Sequence, residues 1–163
     1  MGFAMGIGAM MRVLFDTSVV SYWLLDRAEF RPSIRNLRQD LDDSRANSYI
    51  SAVSIQELAV AGQMSGSWDR WYKWIEEQFV VLPFTERCAD LAASVQVAVG
   101  RPSKRTKPEQ RYAKSLWFRD AAIVGTGIVG GFDMVVSTDR GFRDYQKLFA
   151  GEIRILAPVA VLP

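Results

Sequence analysis

The segment Leu116-Trp117-Phe118-Arg119-Asp120-Ala121-Ala122-Ile123-Val124-Gly125-Thr126-Gly127-Ile128 is predicted to form a helix with an acidic residue on its apolar face. One side of this helix carries Leu116, Ile123, Val124 and Gly127. Asp120 falls on that same side, where a carboxylate is costly to bury unless a cation, a metal ion or several donors meet it. Arg119 points about a quarter-turn away, so the partner of Asp120 must come from another part of the chain.

Short apolar runs alternate with helical patterns along the rest of the chain. The predicted strands are Met11–Ser18, Ser48–Val53, Val80–Pro83, Phe132–Val136 and Gly151–Leu156. Alternation of strands and helices is typical of a parallel sheet that is covered by helices on both faces. The sequence therefore predicts an α/β fold, a three-layer α/β/α sandwich with a central, mostly parallel sheet of about five strands.

Length and composition predict one domain over residues 11–163, because 163 residues with 49% hydrophobic content can bury one core. Residues 1–10 are expected to be a leader, either disordered or the result of a misassigned start. No apolar run reaches membrane-spanning length, so no membrane association is expected. The lone Cys88 cannot form an internal disulfide and lies on an apolar helix face, which predicts a core position and a cytoplasmic location.

The chain contains no histidine, and this absence narrows its chemistry. Serine and cysteine nucleophiles that depend on histidine are excluded, as are zinc sites with histidine ligands. A single cysteine excludes thiolate clusters. Any metal site must therefore use oxygen ligands, which select Mg²⁺ or Mn²⁺.

Three further acids lie where predicted strands end: Asp16, Glu57 and Asp139. Each has a structural alternative, because Asp16 and Asp139 can cap helices and Glu57 can form a capping box with Ser54. Right-handed crossovers bring the carboxyl ends of parallel strands to one edge of the sheet, so these acids and Asp120 are expected to converge. Carboxylates about 4 Å apart repel by about 4 kcal/mol, and a divalent cation reverses that sign. With no basic residue in any of their immediate apolar faces, the four acids predict a metal site.

A basic segment precedes the Asp120 helix. Residues 100–114 carry six basic residues and one acid, a net charge of +5, whereas the whole chain carries +2. Concentrated positive charge favours contact with a phosphate backbone, although a solvated loop is the alternative. The candidate substrate-binding residues are Lys104, Arg105, Lys107 and Arg111. Farther upstream, Trp68, Trp71 and Trp74 indicate a core or a partner surface rather than a base-stacking platform.

Four short motifs together resemble the PIN-domain ribonucleases, specifically the VapC-like toxins of toxin–antitoxin pairs. The motifs are Leu14–Val19, Ser54–Leu58, Arg119–Ile123 and Val136–Phe142. The resemblance implies a sandwiched parallel sheet, Mg²⁺- or Mn²⁺-dependent cleavage of RNA, a homodimer and a small antitoxin partner. It carries catalytic and metal-binding roles onto Asp16, Glu57, Asp120 and Asp139, with Ser137 as a supporting hydroxyl.

Other functions stay open at the level of sequence. The chain is alternatively a PIN-like RNA-processing nuclease without an antitoxin, or a non-catalytic module that binds RNA or protein. A haloacid-dehalogenase-like phosphatase is disfavoured because Ser18 stands where a second aspartate is expected. A receiver-type phosphoacceptor is disfavoured because the segment Ser137-Thr138-Asp139 lacks its lysine.

Overall fold

The computed structural model describes residues 10–100 and 111–160, with the backbone alone for 111–117. Its centre is a sheet of five parallel strands in the order β3-β2-β1-β4-β5. The strands are β1 (Arg12–Phe15), β2 (Asn47–Ser51), β3 (Val80–Leu82), β4 (Met134–Ser137) and β5 (Glu152–Ile155). The predicted sandwich with a parallel sheet is confirmed.

Helices cover both faces of the sheet. They are α1 (Thr17–Leu24), α2 (Arg31–Asp43), α3 (Ala52–Met64), α4 (Trp68–Gln78), α5 (Glu86–Val99) and α6 (Arg111–Gly130), with a 3₁₀-helix over Arg140–Tyr145. Residues of α1 to α4 pack against one face, and residues of α5, α6 and the 3₁₀-helix pack against the other. Within the described ranges, no helix combines the length and the apolar character needed to cross a bilayer.

Strand β1 organises the core because both of its faces are covered. Val13 and Phe15 face the first helical layer, and Leu14 faces the second. All three side chains are buried, as expected for a central strand in a parallel sheet. This central position fixes where the chain leaves the sheet at Asp16, whose backbone N–H still donates to the Val136 carbonyl at 2.9 Å.

The tryptophans of α4 belong to the core. Trp71 is buried, and Trp68 and Trp74 are partly buried against the first helical layer. Trp74 packs edge-on against Trp23, with ring centroids 5.1 Å apart. Of the two predicted roles, the core role is therefore confirmed for this segment. Cys88 is also buried, as predicted.

Several strands end earlier than the sequence predicts. The first strand stops at Phe15, because Asp16 adopts extended geometry and caps α1, accepting from the Ser18 N–H at 3.4 Å. The second stops at Ser51, which caps α3 by accepting from the Val53 N–H at 3.2 Å. The predicted capping box of Ser54 and Glu57 is therefore wrong, since Ser54 already lies inside the helix.

Candidate metal centre

The ends of the two central strands place Asp16 beside Ser137. Phe15 pairs with Val136 in the parallel register, so the residues that follow them, Asp16 and Ser137, lie at the same edge of the sheet. Asp16 is buried, and its Oδ2 atom accepts from the hydroxyl of Ser137 at 2.7 Å and from the hydroxyl of Ser18. Burial raises the pKa of Asp16, although these two hydrogen bonds oppose the shift. The structure thus holds one carboxylate in a fixed orientation at the sheet edge.

Ser137 also joins Asp16 to Asp139. Its hydroxyl oxygen accepts from the backbone N–H of Asp139 at 2.9 Å while donating to Asp16. Asp139 is exposed and caps the 3₁₀-helix, accepting from the Gly141 N–H at 2.7 Å. The proposed capping roles of Asp16 and Asp139 are therefore both real. They do not exclude a role in the site, because a capping carboxylate retains lone pairs for another ligand.

Asp120 reaches this edge from α6, on the other side of the sheet's central strands. It is half-buried beside fully buried Ala121, Ile123 and Val124. Burial raises the pKa of Asp120 to about 8, and the charges of Asp16, Asp139 and Glu57 add to the shift in that order. Each of these carboxylates therefore lies close enough to repel Asp120. The convergence predicted from the strand ends is what the structure shows around this residue.

Glu57 completes the group from the second turn of α3. Its Oε2 atom accepts from the hydroxyl of Thr17, and its Oε1 atom lies 2.6 Å from Nη1 of Arg119. The immediate apolar faces were expected to hold no basic residue, and Arg119 reaches Glu57 with a side chain that is 48% exposed. Arg119 forms its ion pair with Glu57 rather than with Asp120, the residue that follows it in the sequence. Its charge lowers the pKa of Asp120 by less than the acids raise it.

The donor set of this edge suits a hard divalent cation. It consists of carboxylate and hydroxyl oxygens, which Mg²⁺ and Mn²⁺ prefer, and its carboxylates repel one another until a cation is present. Within residues 10–100 and 111–160, however, no three acidic side chains are already arranged as a coordination shell. Asp16 and Glu57 direct oxygens at hydroxyl and guanidinium donors instead. The residues have the oxygen ligands that a divalent cation prefers. Rotation of their side chains would be needed to complete a coordination shell.

The candidate substrate-binding residues are not placed by the structure. Lys104, Arg105 and Lys107 lie outside the described residues, and Arg111 is described only as the first backbone position of α6.

Sequence reasoning did not identify Ser18, Thr17 and Arg119 as parts of the site. Ser18 and Thr17 directly follow Asp16, and Arg119 directly precedes Asp120. Proximity in sequence to a predicted ligand was the available signal. It does not reveal which carboxylate each of these residues meets across the fold.

Replacing Ser137 by alanine is expected to destabilise the protein by about 1–3 kcal/mol, because the buried carboxylate of Asp16 and the N–H of Asp139 each lose a partner. Denaturant unfolding measures this difference. Ser54→Ala is the matched control: the hydroxyl of Ser54 is equally buried and, within the described part of the chain, has no hydrogen-bond partner. Removing it is expected to be neutral or stabilising. Equal losses in the two variants would contradict the role given to Ser137.

Comparison with protein families gives one match that spans most of the chain. The family model of the PIN domain matches residues 13–148, a range that contains Asp16, Glu57, Asp120 and Asp139. No curated protein matches the sequence.

Comparison with solved structures gives matches over nearly the whole chain. VapBC2 from Rickettsia felis, bound to a DNA fragment from its promoter, aligns with a TM-score of 0.62 at 13% identity, covering 88% of this chain and 98% of that chain. A toxin–antitoxin complex from Klebsiella pneumoniae aligns with a TM-score of 0.61 at 14% identity, covering 90% of this chain and 99% of that chain. DNA-bound VapBC from Salmonella typhimurium aligns with a TM-score of 0.60 at 16% identity, covering 91% of this chain and 100% of that chain. At these identities the matches show a shared fold.

Proposed function

The chain belongs to the PIN domain family, a family of nucleases, and from this premise we propose that it is a metal-dependent endoribonuclease and the toxin of a toxin–antitoxin pair. The observation that carries the proposal is the placement of the half-buried Asp120 at the strand ends near Asp16, Asp139 and Glu57: burial raises its pKa, and the charges of these three carboxylates raise it further. A group of carboxylates that repel one another is unfavourable for a purely structural role. It is favourable for a site that binds a divalent cation.

Each acid has a role in this proposal. Asp16 and Asp120 would hold Mg²⁺ or Mn²⁺ most directly, Asp139 would be a further ligand, and Glu57 would help to hold the cation or orient the attacking water. When bound, the cation would make water a stronger nucleophile and offset the negative charge that develops on the phosphate. The hydroxyls of Ser137 and Ser18 donate to the carboxylate of Asp16 and hold it in position. Burial of Asp16 excludes bulk water from that side of the site and strengthens its interaction with charge.

Protonation of Asp120 is part of how the site operates. With a pKa of about 8, Asp120 carries a proton at neutral pH in the metal-free protein, and it would have to lose that proton to serve as a ligand. The chain contains no histidine, so proton transfer in the site falls to carboxylates and water.

The partners follow from the same proposal. RNA is the substrate, with Lys104, Arg105, Lys107 and Arg111 as candidate contacts to its phosphates. A small antitoxin protein and a second copy of the chain are the protein partners, and the cytoplasm is the location. The toxin–antitoxin complexes among the structures of similar fold support the antitoxin.

The test is cleavage of a labelled RNA by the purified chain, with Mn²⁺ or Mg²⁺ and with excess EDTA. Cleavage at internal positions in the presence of metal, abolished by EDTA, is expected. A DNA oligonucleotide of the same sequence distinguishes a ribonuclease from a general nuclease. If the protein neither cleaves RNA nor gains thermal stability from Mn²⁺, the nuclease proposal fails and a silent binding module becomes the better explanation.

A further inference from the structure

The four carboxylates of the site would repel the negatively charged phosphate of an RNA substrate. Four carboxylates carry a formal charge of −4, and one divalent cation reduces it to −2. An RNA phosphate, itself an anion, would then approach a site that is still negative. A positively charged group at the rim of the site would remove this barrier.

Arg119 lies at the solvent-facing edge of this acidic group, next to Glu57. Its guanidinium lies 2.6 Å from Glu57 while its side chain remains 48% exposed, whereas the side chain of Glu57 is only 17% exposed. In this ion pair the carboxylate of Glu57 is largely buried, and its other oxygen accepts from the hydroxyl of Thr17. The guanidinium of Arg119 faces solvent. Half-exposed ion pairs contribute little to stability, so the fold does not depend on keeping Arg119 on Glu57.

The chemistry of Arg119 matches a phosphate better than a single carboxylate oxygen. Its guanidinium offers five N–H donors in a planar fork, which suits two oxygens of one phosphate. In its ion pair with Glu57, Nη1 of Arg119 lies 2.6 Å from one carboxylate oxygen, Oε1. A cation bound by Glu57 would compete for the same carboxylate and repel the guanidinium, which leaves it available for an anion.

We propose that Arg119 is the substrate-binding residue that takes a phosphate of the RNA at the metal site, and that it is held by Glu57 until a cation displaces it. The inference rests on the proposed nuclease function and adds a residue to it. It gives one side chain two successive partners: the Glu57 carboxylate in the metal-free protein, and a substrate phosphodiester in the loaded one.

The alternative is that Arg119 only positions Glu57 as a metal ligand. The two roles predict opposite changes in metal affinity for Arg119→Gln. If Arg119 competes with the cation, its removal makes Mn²⁺ binding severalfold tighter, and an unchanged affinity would contradict the competition. If it positions Glu57, its removal weakens Mn²⁺ binding. Calorimetric titration of the RNA-free protein with Mn²⁺ measures this directly, without reference to activity.

Cleavage kinetics supply the second readout. Arg119→Gln is expected to raise KM for RNA about tenfold or more, with a smaller change in kcat. The slope of log KM against log salt is expected to fall by about 0.7, the value for one lost phosphate contact on a single strand. Arg119→Lys keeps the charge but loses the planar fork, so KM is expected to rise while the salt slope stays. Arg45→Gln, exposed just before β2 at the opposite edge of the sheet, is the matched control.

These outcomes separate the inference from the function on which it rests. Weaker Mn²⁺ binding in Arg119→Gln, or an unchanged KM and salt slope, would overturn the role of Arg119 alone. A wild-type protein that neither binds Mn²⁺ nor cleaves RNA would overturn the nuclease function first. If Arg119→Gln lowers stability, Arg119→Lys keeps the charge beside Glu57 and still tests the planar fork through KM, and an unchanged KM in Arg119→Lys would overturn the proposed phosphate contact.

Discussion

Replacing Asp120 by asparagine is expected to reduce RNA cleavage by more than about 100-fold while leaving the fold intact. Loss of a hydrogen-bond partner behind a metal ligand already costs about 10- to 100-fold, and Asp120 is proposed as a ligand itself. Asparagine keeps the size of the side chain but removes the charge that attracts a cation. Asp16→Asn is expected to have the same effect, because Asp16 is fixed at the centre of the same edge by Ser137 and Ser18.

Single-turnover cleavage with saturating Mn²⁺ measures the loss, and far-ultraviolet circular dichroism checks the fold. Asp42→Asn is the matched control, since Asp42 is exposed near the end of α2, away from the carboxyl ends of the strands. It is expected to cleave RNA at the wild-type rate. Full activity in either Asp16→Asn or Asp120→Asn would exclude a metal centre built on these two residues.

The same substitution at Asp120 is expected to stabilise the metal-free protein at alkaline pH by several degrees in Tm. The pKa of Asp120 is about 8 in the folded protein, against about 3.9 for an aspartate in an unfolded chain. The proton therefore favours the folded state. This contribution is fully present below about pH 4 and is lost as pH rises through about 8. About 1 kcal/mol corresponds to about 2–4 °C for a domain of this size.

Thermal unfolding in EDTA at pH 5 and pH 8.5 measures the effect. The difference in Tm between Asp120→Asn and the wild type is expected to be larger at pH 8.5, where the wild-type carboxylate is charged among Asp16, Asp139 and Glu57. A saturating concentration of Mn²⁺ is expected to reverse the order, because only the wild type binds it. A Tm difference that does not change with pH would show that Asp120 does not titrate as the structure indicates.

The sequence was sufficient to place Asp16, Asp120 and Asp139 on the correct elements. Each of them is defined by a local pattern: the end of a buried strand for two of them, and the apolar face of a helix for the third. Parallel topology then brings these positions to one edge without any knowledge of side-chain contacts. Local periodicity and chain topology together account for this part of the site.

The environment of Glu57 could not be predicted in the same way. The pattern of Ser54 and Glu57 fits a capping box, but β2 runs into α3 without a loop and Ser51 takes the capping position. Glu57 then lies one turn farther along the helix, where it meets Thr17 and Arg119. These partners lie far from it in sequence, and contacts of that kind depend on how three helices pack rather than on any local signal.

The most direct test of the proposed metal centre is a calorimetric titration of the metal-free protein with Mn²⁺ at pH 8 and pH 6. Binding is expected to be about 50-fold weaker at pH 6 than at pH 8, because one proton on Asp120 competes with the cation and the carboxyl is already half ionised at pH 8. Asp120→Asn is expected to lose most of this binding at both pH values. Mn²⁺ binding of equal strength at both pH values, retained in Asp120→Asn, would contradict the proposed metal centre.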